Sequence, residues 1–153
     1  VRVWEEHLKV NLTGAFLCSL KVLPSMVSRG SGRIINMASD AGLDGFAYAT
    51  AYCASKHGLV GFTRALSAEV SHNGVTVNAL CPGNVDSPLT HSCRAIIEEK
   101  TGNADDPMAQ WLLGSTPDRI YTPDEVAAAL FYMAGPGMEG VTGQALTMDE
   151  IQK

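Results

Sequence analysis

Apolar residues recur at helical spacing through Leu8, Leu12, Ala15, Phe16, Leu20, Leu23 and Val27, which predicts an amphipathic helix over about residues 4–29. Glu5 and Glu6 suit the positive end of its dipole, and Arg29-Gly30 makes a C-terminal stop. Pro24 inside this run is expected to kink the last turns or end the helix early. After the turn Gly30-Ser31-Gly32, a continuous apolar run predicts a strand at about residues 33–38, buried on both faces as in a parallel sheet. A loop through Gly42, Gly45 and Tyr48 leads to a second long helix at about residues 50–72. Gly58 and Gly61 are unfavourable inside a helix, so close packing by another element is expected at both.

Asn73-Gly74 turns the chain into a second strand, Val75 to Leu80, ended by Cys81-Pro82-Gly83. Residues 86–117 form the longest irregular insert, with a short helical piece at about residues 94–100 and scattered Leu89, Ile96, Ile97, Trp111 and Leu112. Such an insert is expected to act as a substrate lid. Thr122-Pro123-Asp124-Glu125 is a capping box opening a helix to Ala134, and residues 144–148 read as a last short strand. Alternating helices and strands predict an α/β fold with a parallel sheet and right-handed crossovers. Three strands would leave an open edge beside Ile34 and Ile35. Together with a first residue, Val1, that is not methionine, this leads to the expectation of one partial domain, residues 1–153, from a larger doubly wound sheet.

Composition narrows the partners. The chain is 46% apolar and 18% charged with net charge −5, and it shows no basic cluster, so neither nucleic acid nor a membrane is expected to bind it. No uninterrupted apolar stretch suits a bilayer span and no signal peptide is visible, which together predict a cytoplasmic protein. Cys18, Cys53, Cys81 and Cys93 form no C-x-x-C pair and no metal-like spacing with the histidines. They are expected to be reduced thiols, with no metal site.

The candidate chemistry lies between Ser39 and Lys56. Tyr52 and Lys56 stand four apart, on one face of the second helix. A neighbouring ammonium favours the phenolate, so the expectation is a depressed phenol able to act as an acid or base. Ser39, at the end of the first strand, is placed to aim its hydroxyl at the same spot. Tyr48 is excluded from that role, since the residue four later is Tyr52 rather than lysine; it is expected to face the cleft or solvent. His7 and His57 read as packing or surface residues, and Asp40 and Asp44 as turn formers rather than groups that steer substrates.

Several blocks resemble the short-chain dehydrogenase/reductase family in order and spacing. They are V-N-L-T-G-A-F at residues 10–16, G-R-I-I-N-M-A-S at 32–39, A-Y-C-A-S-K-H-G-L-V-G-F-T at 51–63, V-T-V-N-A-L-C-P-G-N-V at 75–85 and V-T-G-Q-A-L at 141–146. The look is closest to 3-oxoacyl-(acyl carrier protein) reductases and polyketide-type ketoreductases. The resemblance implies a Rossmann-type sheet and a catalytic tetrad. Tyr52 would exchange a proton with a carbonyl oxygen. Lys56 would lower the phenol's pKa and bind the nicotinamide ribose, and Ser39 would hydrogen-bond the substrate oxygen. Asn11 would hold a water linking Lys56 to solvent. Pro82, Gly83, Val85 and Ser87 would meet the nicotinamide, together with Tyr52 and Lys56.

The implied cofactor is NAD or NADP, at its nicotinamide end only, because no strand, glycine loop and helix fingerprint for a pyrophosphate occurs in the sequence. The nucleotide-binding half is therefore expected to be absent. The implied substrate is a small ketone or secondary alcohol, and the implied assembly is a dimer or tetramer through the helices at about residues 4–29 and 50–72. Asp149-Glu150-Ile151 departs from the family's usual D-G-G ending. Two other readings stand beside this one. A truncated, inactive chain would serve only as an oligomerisation module, and an epimerase or dehydratase of the wider family would share Tyr-x-x-x-Lys.

Overall fold

The computed structural model describes residues 1–102 and 119–151, so Trp111, Leu112 and the later part of the expected lid, 103–117, lie outside the described residues. The chain opens with α1 (Arg2–His7), a π-helical segment (Leu8–Thr13) and α2 (Gly14–Ser28) as one helical run. Next come β1 (Gly32–Met37), a 3-10 turn (Asp40–Gly42), α3 (Thr50–Val70) and β2 (Val75–Cys81). After these come α4 (Pro88–Thr101), α5 (Pro123–Ala134), β3 (Ala145–Thr147) and α6 (Met148–Ile151). The strands form one parallel sheet in the order β1-β2-β3, as the alternation predicts.

Alternation along β2 divides the core. Val75, Val77, Ala79 and Cys81 pack toward the α3 side, with Leu59, Val60, Leu66 and Val70. Leu80 points the other way, into a cluster with Val126, Ala129 and Met133 of α5 and with Met148. Ile34 joins the first side and Ile35 the second. β2 is buried almost throughout, whereas β1 is mostly half-buried, and its Met37 is exposed. The expectation that β1 is buried on both faces is thus corrected: it pairs on one side only and forms the edge of the described sheet. Polar residues bolt β3 on. The Asn78 side chain donates to the Val141 carbonyl (2.8 Å) and accepts from the Gln144 N–H (3.0 Å), while the Val77 N–H donates to Thr142 Oγ1 (2.9 Å).

Four further expectations change. Pro24 does not end its helix, which runs on to Ser28. Pro24 leaves the Leu20 carbonyl without its helical donor, but Leu20 is an exposed residue, while Leu23, Met26 and Val27 pack on the core and hold the turns together. The short helical piece at 94–100 is a full helix from Pro88, because Ser87 caps it, proline takes the first turn and Gly102 closes it in the left-handed region (φ 77°). Gly58 is closely approached, a Cβ there standing 2.9 Å from Leu12, while Gly61 meets no neighbour among the described residues of the single subunit. Finally, the helical run Arg2–Ser28 is long and apolar enough to cross a membrane by length and composition, with mean hydropathy 1.4 in its best window. Here its inner face packs on α3 and the sheet, and Val10, Phe16, Leu17 and Leu20 face outward.

The buried strand end carries a pH consequence. Burial pushes the Cys81 thiol from its ordinary 9.0 up to about 11. The folded protein therefore holds that proton more tightly than the unfolded chain. Its contribution to stability is complete below about pH 9 and is lost as pH rises from 9.0 toward 11. Denaturant unfolding across that window is expected to show a fall of about 2 kcal/mol that a Cys81→Ala variant lacks.

Candidate active site

The hydrogen-bond ladder between β1 and β2 continues past the end of β1. The Ala38 N–H donates to the Leu80 carbonyl (2.8 Å) and the Asp40 N–H to the Pro82 carbonyl (3.0 Å). Ser39, buried and extended, is fixed between these two bonds. Its hydroxyl donates to Asp40 Oδ1 (2.8 Å) and accepts from the Ala41 N–H (3.2 Å). The turn that follows lies against α3: a Cβ on Gly42 would stand 2.9 Å from the Lys56 carbonyl oxygen.

On α3, Lys56 Nζ lies 5.6 Å from the Tyr52 ring centre and donates to the Met37 carbonyl (2.8 Å), tying the helix to the end of β1. Asn11 reaches the same place indirectly. The π-helical turn, with the Gly14 N–H bonded to the Lys9 carbonyl, carries Asn11 toward α3. There its Nδ2 donates to Ser55 Oγ (3.0 Å), and Ser55 Oγ donates to the Tyr52 carbonyl (2.7 Å).

These elements border a cleft of about 530 Å³. Ser39, Tyr52 and Lys56 all line it, and so does the loop after β2 through Pro82, Gly83, Val85 and Ser87. Asn11 is the one candidate outside the lining; it braces the helix that carries Tyr52. Val85 is held by a parallel bridge to Tyr121, and the Ser87 hydroxyl accepts from the Thr90 N–H (3.4 Å) as the cap of α4. Tyr48 lines the cleft while exposed to solvent. His57 bonds through Nδ1 to the Ala41 and Cys53 carbonyls (3.0 Å each), a packing role. His7 does enter the cleft, its ring 5.9 Å from that of Tyr52, and nothing in the sequence spacing marked it for that place. Ser55, fully buried, was legible only as the third residue after Tyr52 on the helix's inner face.

The electrostatics differ from the depressed phenol expected. Burial pushes the Tyr52 phenol above its ordinary value; the Ser39 hydroxyl pulls it down and the Asp40 carboxylate adds to the rise. The same burial disfavours the Lys56 ammonium and lowers its pKa, so the cation that was to depress the phenol is itself weakened. The arrangement presents a protonated phenol, a hydroxyl and the buried amino group of Lys56 at the carboxyl ends of parallel strands, where open α/β sheets bind ligands.

Comparison with known proteins gives a consistent picture. A family model described as short chain dehydrogenase matches residues 1–97. A Streptomyces coelicolor protein provisionally named a ketoacyl reductase is 43% identical over 153 residues, covering 95% of this chain and 57% of its own. A D-beta-hydroxybutyrate dehydrogenase of Rhizobium meliloti is 36% identical over 156 residues, covering 97% and 58%. The crystal structure of a variant actinorhodin polyketide ketoreductase with NADPH superposes with TM-score 0.79 at 39% identity, covering 95% of this chain and 57% of that one. The chain thus spans a little over half the length of these relatives.

Two glycines test the packing around the site. Gly42→Ala is expected to push the turn off Lys56 and cost roughly 1–3 kcal/mol in urea unfolding. Gly61→Ala, facing open space, is expected to be neutral or to stabilise by up to about 1 kcal/mol.

Proposed function

Because the chain belongs to the short-chain dehydrogenase family, we propose that it carries the acid–base and substrate-facing part of an NAD(P)-dependent oxidoreductase interconverting a ketone and a secondary alcohol. The observation that carries this reading is the convergence of the Tyr52 phenol, the Lys56 side-chain nitrogen and the Ser39 hydroxyl on one cleft. The chemistry of these groups fits a nicotinamide riboside. Lys56 commits one of its three N–H donors to the Met37 carbonyl and would hold the ribose with the others. Pro82, Gly83, Val85 and Ser87 would hold the nicotinamide. When bound, the nicotinamide supplies a hydride to the carbonyl carbon or takes one from the alcohol carbon.

This chain's residues handle the oxygen and its proton. With substrate bound, Ser39 would turn the O–H that it otherwise gives to Asp40 Oδ1 toward the substrate oxygen and stabilise the charge that develops there. Tyr52 donates its phenolic proton to that oxygen in reduction and takes it back in oxidation. A phenol raised by burial is protonated at neutral pH, the form that reduction needs. Asn11, bonded to Ser55, keeps the first turns of α3 in place; a water held beside Asn11 would return the proton from solvent. Phe46, Leu89 and Ile96 give the cleft an apolar side suited to an acyl or polyketide-like ketone, in keeping with the names of the relatives.

No glycine-rich pyrophosphate loop occurs among the 153 residues, and the part of the dinucleotide that they would hold is its nicotinamide end. The outward apolar residues Phe16, Leu17 and Leu20 support pairing of α1–α2 and α3 with a second subunit, in a cytoplasmic homo-oligomer. The same surface favours a second reading, an inactive oligomerisation module, which has no need of the assembled tetrad. In the enzyme carrying this chain, Tyr52→Phe is expected to lower turnover by roughly 100-fold or more while sparing cofactor affinity; unchanged turnover would overturn the assignment. NADH or NADPH fluorescence titration of these residues alone is expected to show weak or no binding. Micromolar binding would contradict the division of the cofactor pocket.

A further inference from the structure

The helical run α1–α2 lies along α3 as a seam of paired residues. Phe16 stands edge-on to Phe62, Leu12 fills the space at Gly58, and Asn11 bonds to Ser55. His7 makes a further contact of the seam, edge-on to Tyr52 with ring centres 5.9 Å apart. Of these four seam residues on α1–α2, His7 alone lines the cleft. Packing does not account for an imidazole at this place. The other seam contacts are made by apolar side chains or by a hydrogen-bonded amide, whereas half-buried His7 makes no hydrogen bond among the described residues. A leucine or phenylalanine would cover the Tyr52 ring without leaving polar nitrogens to satisfy. An imidazole carries at least one N–H in either protonation state, so the wall beside the phenol holds a donor with no protein acceptor among the described residues.

We propose that His7 is a specificity-determining residue of this site: its imidazole N–H donates to a second oxygen of the substrate, the acyl carbonyl next to the reacting ketone, so that the cleft prefers 3-oxo esters to simple ketones. This rests on the placing of a ketone against Tyr52 and Ser39 in the proposed function. The geometry limits where the second oxygen lies. Two rings in contact address substrate atoms only a few bonds apart, and the ketone oxygen is already taken by Tyr52 and Ser39. An acceptor on a carbon close to the ketone is the group that remains within reach of His7. The rest of the substrate meets other elements, since the apolar residues of the cleft, Phe46, Leu89 and Ile96, come from the loop before α3 and from α4. α1 thus reads the polar head of the substrate, while α4 and that loop cover its chain. A simple ketone leaves the His7 donor without an acceptor once water is displaced, which is the penalty that separates the two substrate classes.

The test compares ethyl butyrylacetate, a 3-oxo ester, with propyl pentyl ketone, which has the same chain length without the ester oxygens, as substrates of the enzyme carrying this chain. His7→Phe keeps a ring against Tyr52 and removes the N–H. His7→Gln keeps an N–H donor and removes the ring. The ratio of kcat/KM for the ester to that for the ketone is expected to fall by roughly 3- to 10-fold in His7→Phe and to stay near the parent's in His7→Gln. The reverse order, with the ratio kept in His7→Phe and lost in His7→Gln, would make His7 a packing residue and overturn the proposal, as would one ratio shared by all three proteins. Binding gives a second readout that needs no turnover. Calorimetric titration of the ester into the enzyme holding oxidised cofactor is expected to show the same weakening in His7→Phe; ester affinity unaltered by that change would also overturn the proposal. Should His7→Phe weaken ester binding while the parent reduces neither substrate, the His7 contact stands and the oxidoreductase reading is what fails.

Discussion

The site depends on the parallel pairing of β1 with β2 being carried beyond the strands themselves. Two backbone hydrogen bonds, from Ala38 to Leu80 and from Asp40 to Pro82, fix the exit of β1 onto the exit of β2. Ser39 is trapped between them, and the same Pro82 begins the loop that lines the other part of the cleft. Backbone ladders are stiff, so the hydroxyl is positioned by the sheet rather than by a flexible loop. Lys56 then closes the triangle by donating to the carbonyl of Met37, the last residue of β1. Strand, loop and helix meet at one point because each bonds to the end of β1.

Burial decides the electrostatics of that point. A phenol beside an ammonium invites the expectation of an easily formed phenolate, and the pairing on α3 is as the four-residue spacing implies. Desolvation nonetheless outweighs it: both Tyr52 and Lys56 are pushed toward their neutral forms. Asp40 adds a charge of the wrong sign for a phenolate. The resulting site is a proton donor at rest, and a bound cationic ring is the kind of group that would rebalance it.

Much of this was readable along the chain, for identifiable reasons. The parallel strands follow from short apolar runs between helices, and the α5 capping box from Thr122 and Glu125, whose reciprocal bonds are all present. Tyr52 and Lys56 share a helix face by spacing alone. Other features had no local signature. The π-helical turn at Leu8–Thr13 lies within an ordinary helical pattern, because its cause is contact with α3, through Asn11 to Ser55 and Leu12 to Gly58. The persistence of α2 through Pro24 depends on which side faces the core. Gly61 looked like Gly58, yet only one of them meets a neighbour. The raised phenol is a property of three-dimensional burial, which spacing cannot express.

The central claim is that this cleft directs a hydride to a carbonyl carbon while Tyr52 protonates the oxygen. The most direct measurement is isotope transfer in the enzyme carrying this chain. A ketone is reduced with nicotinamide cofactor deuterated at its hydride position, and the alcohol is analysed by mass spectrometry and NMR. The account predicts deuterium on the carbinol carbon and a solvent-derived proton on the oxygen. Alcohol formed without deuterium, or with deuterium at an adjacent carbon, would contradict it.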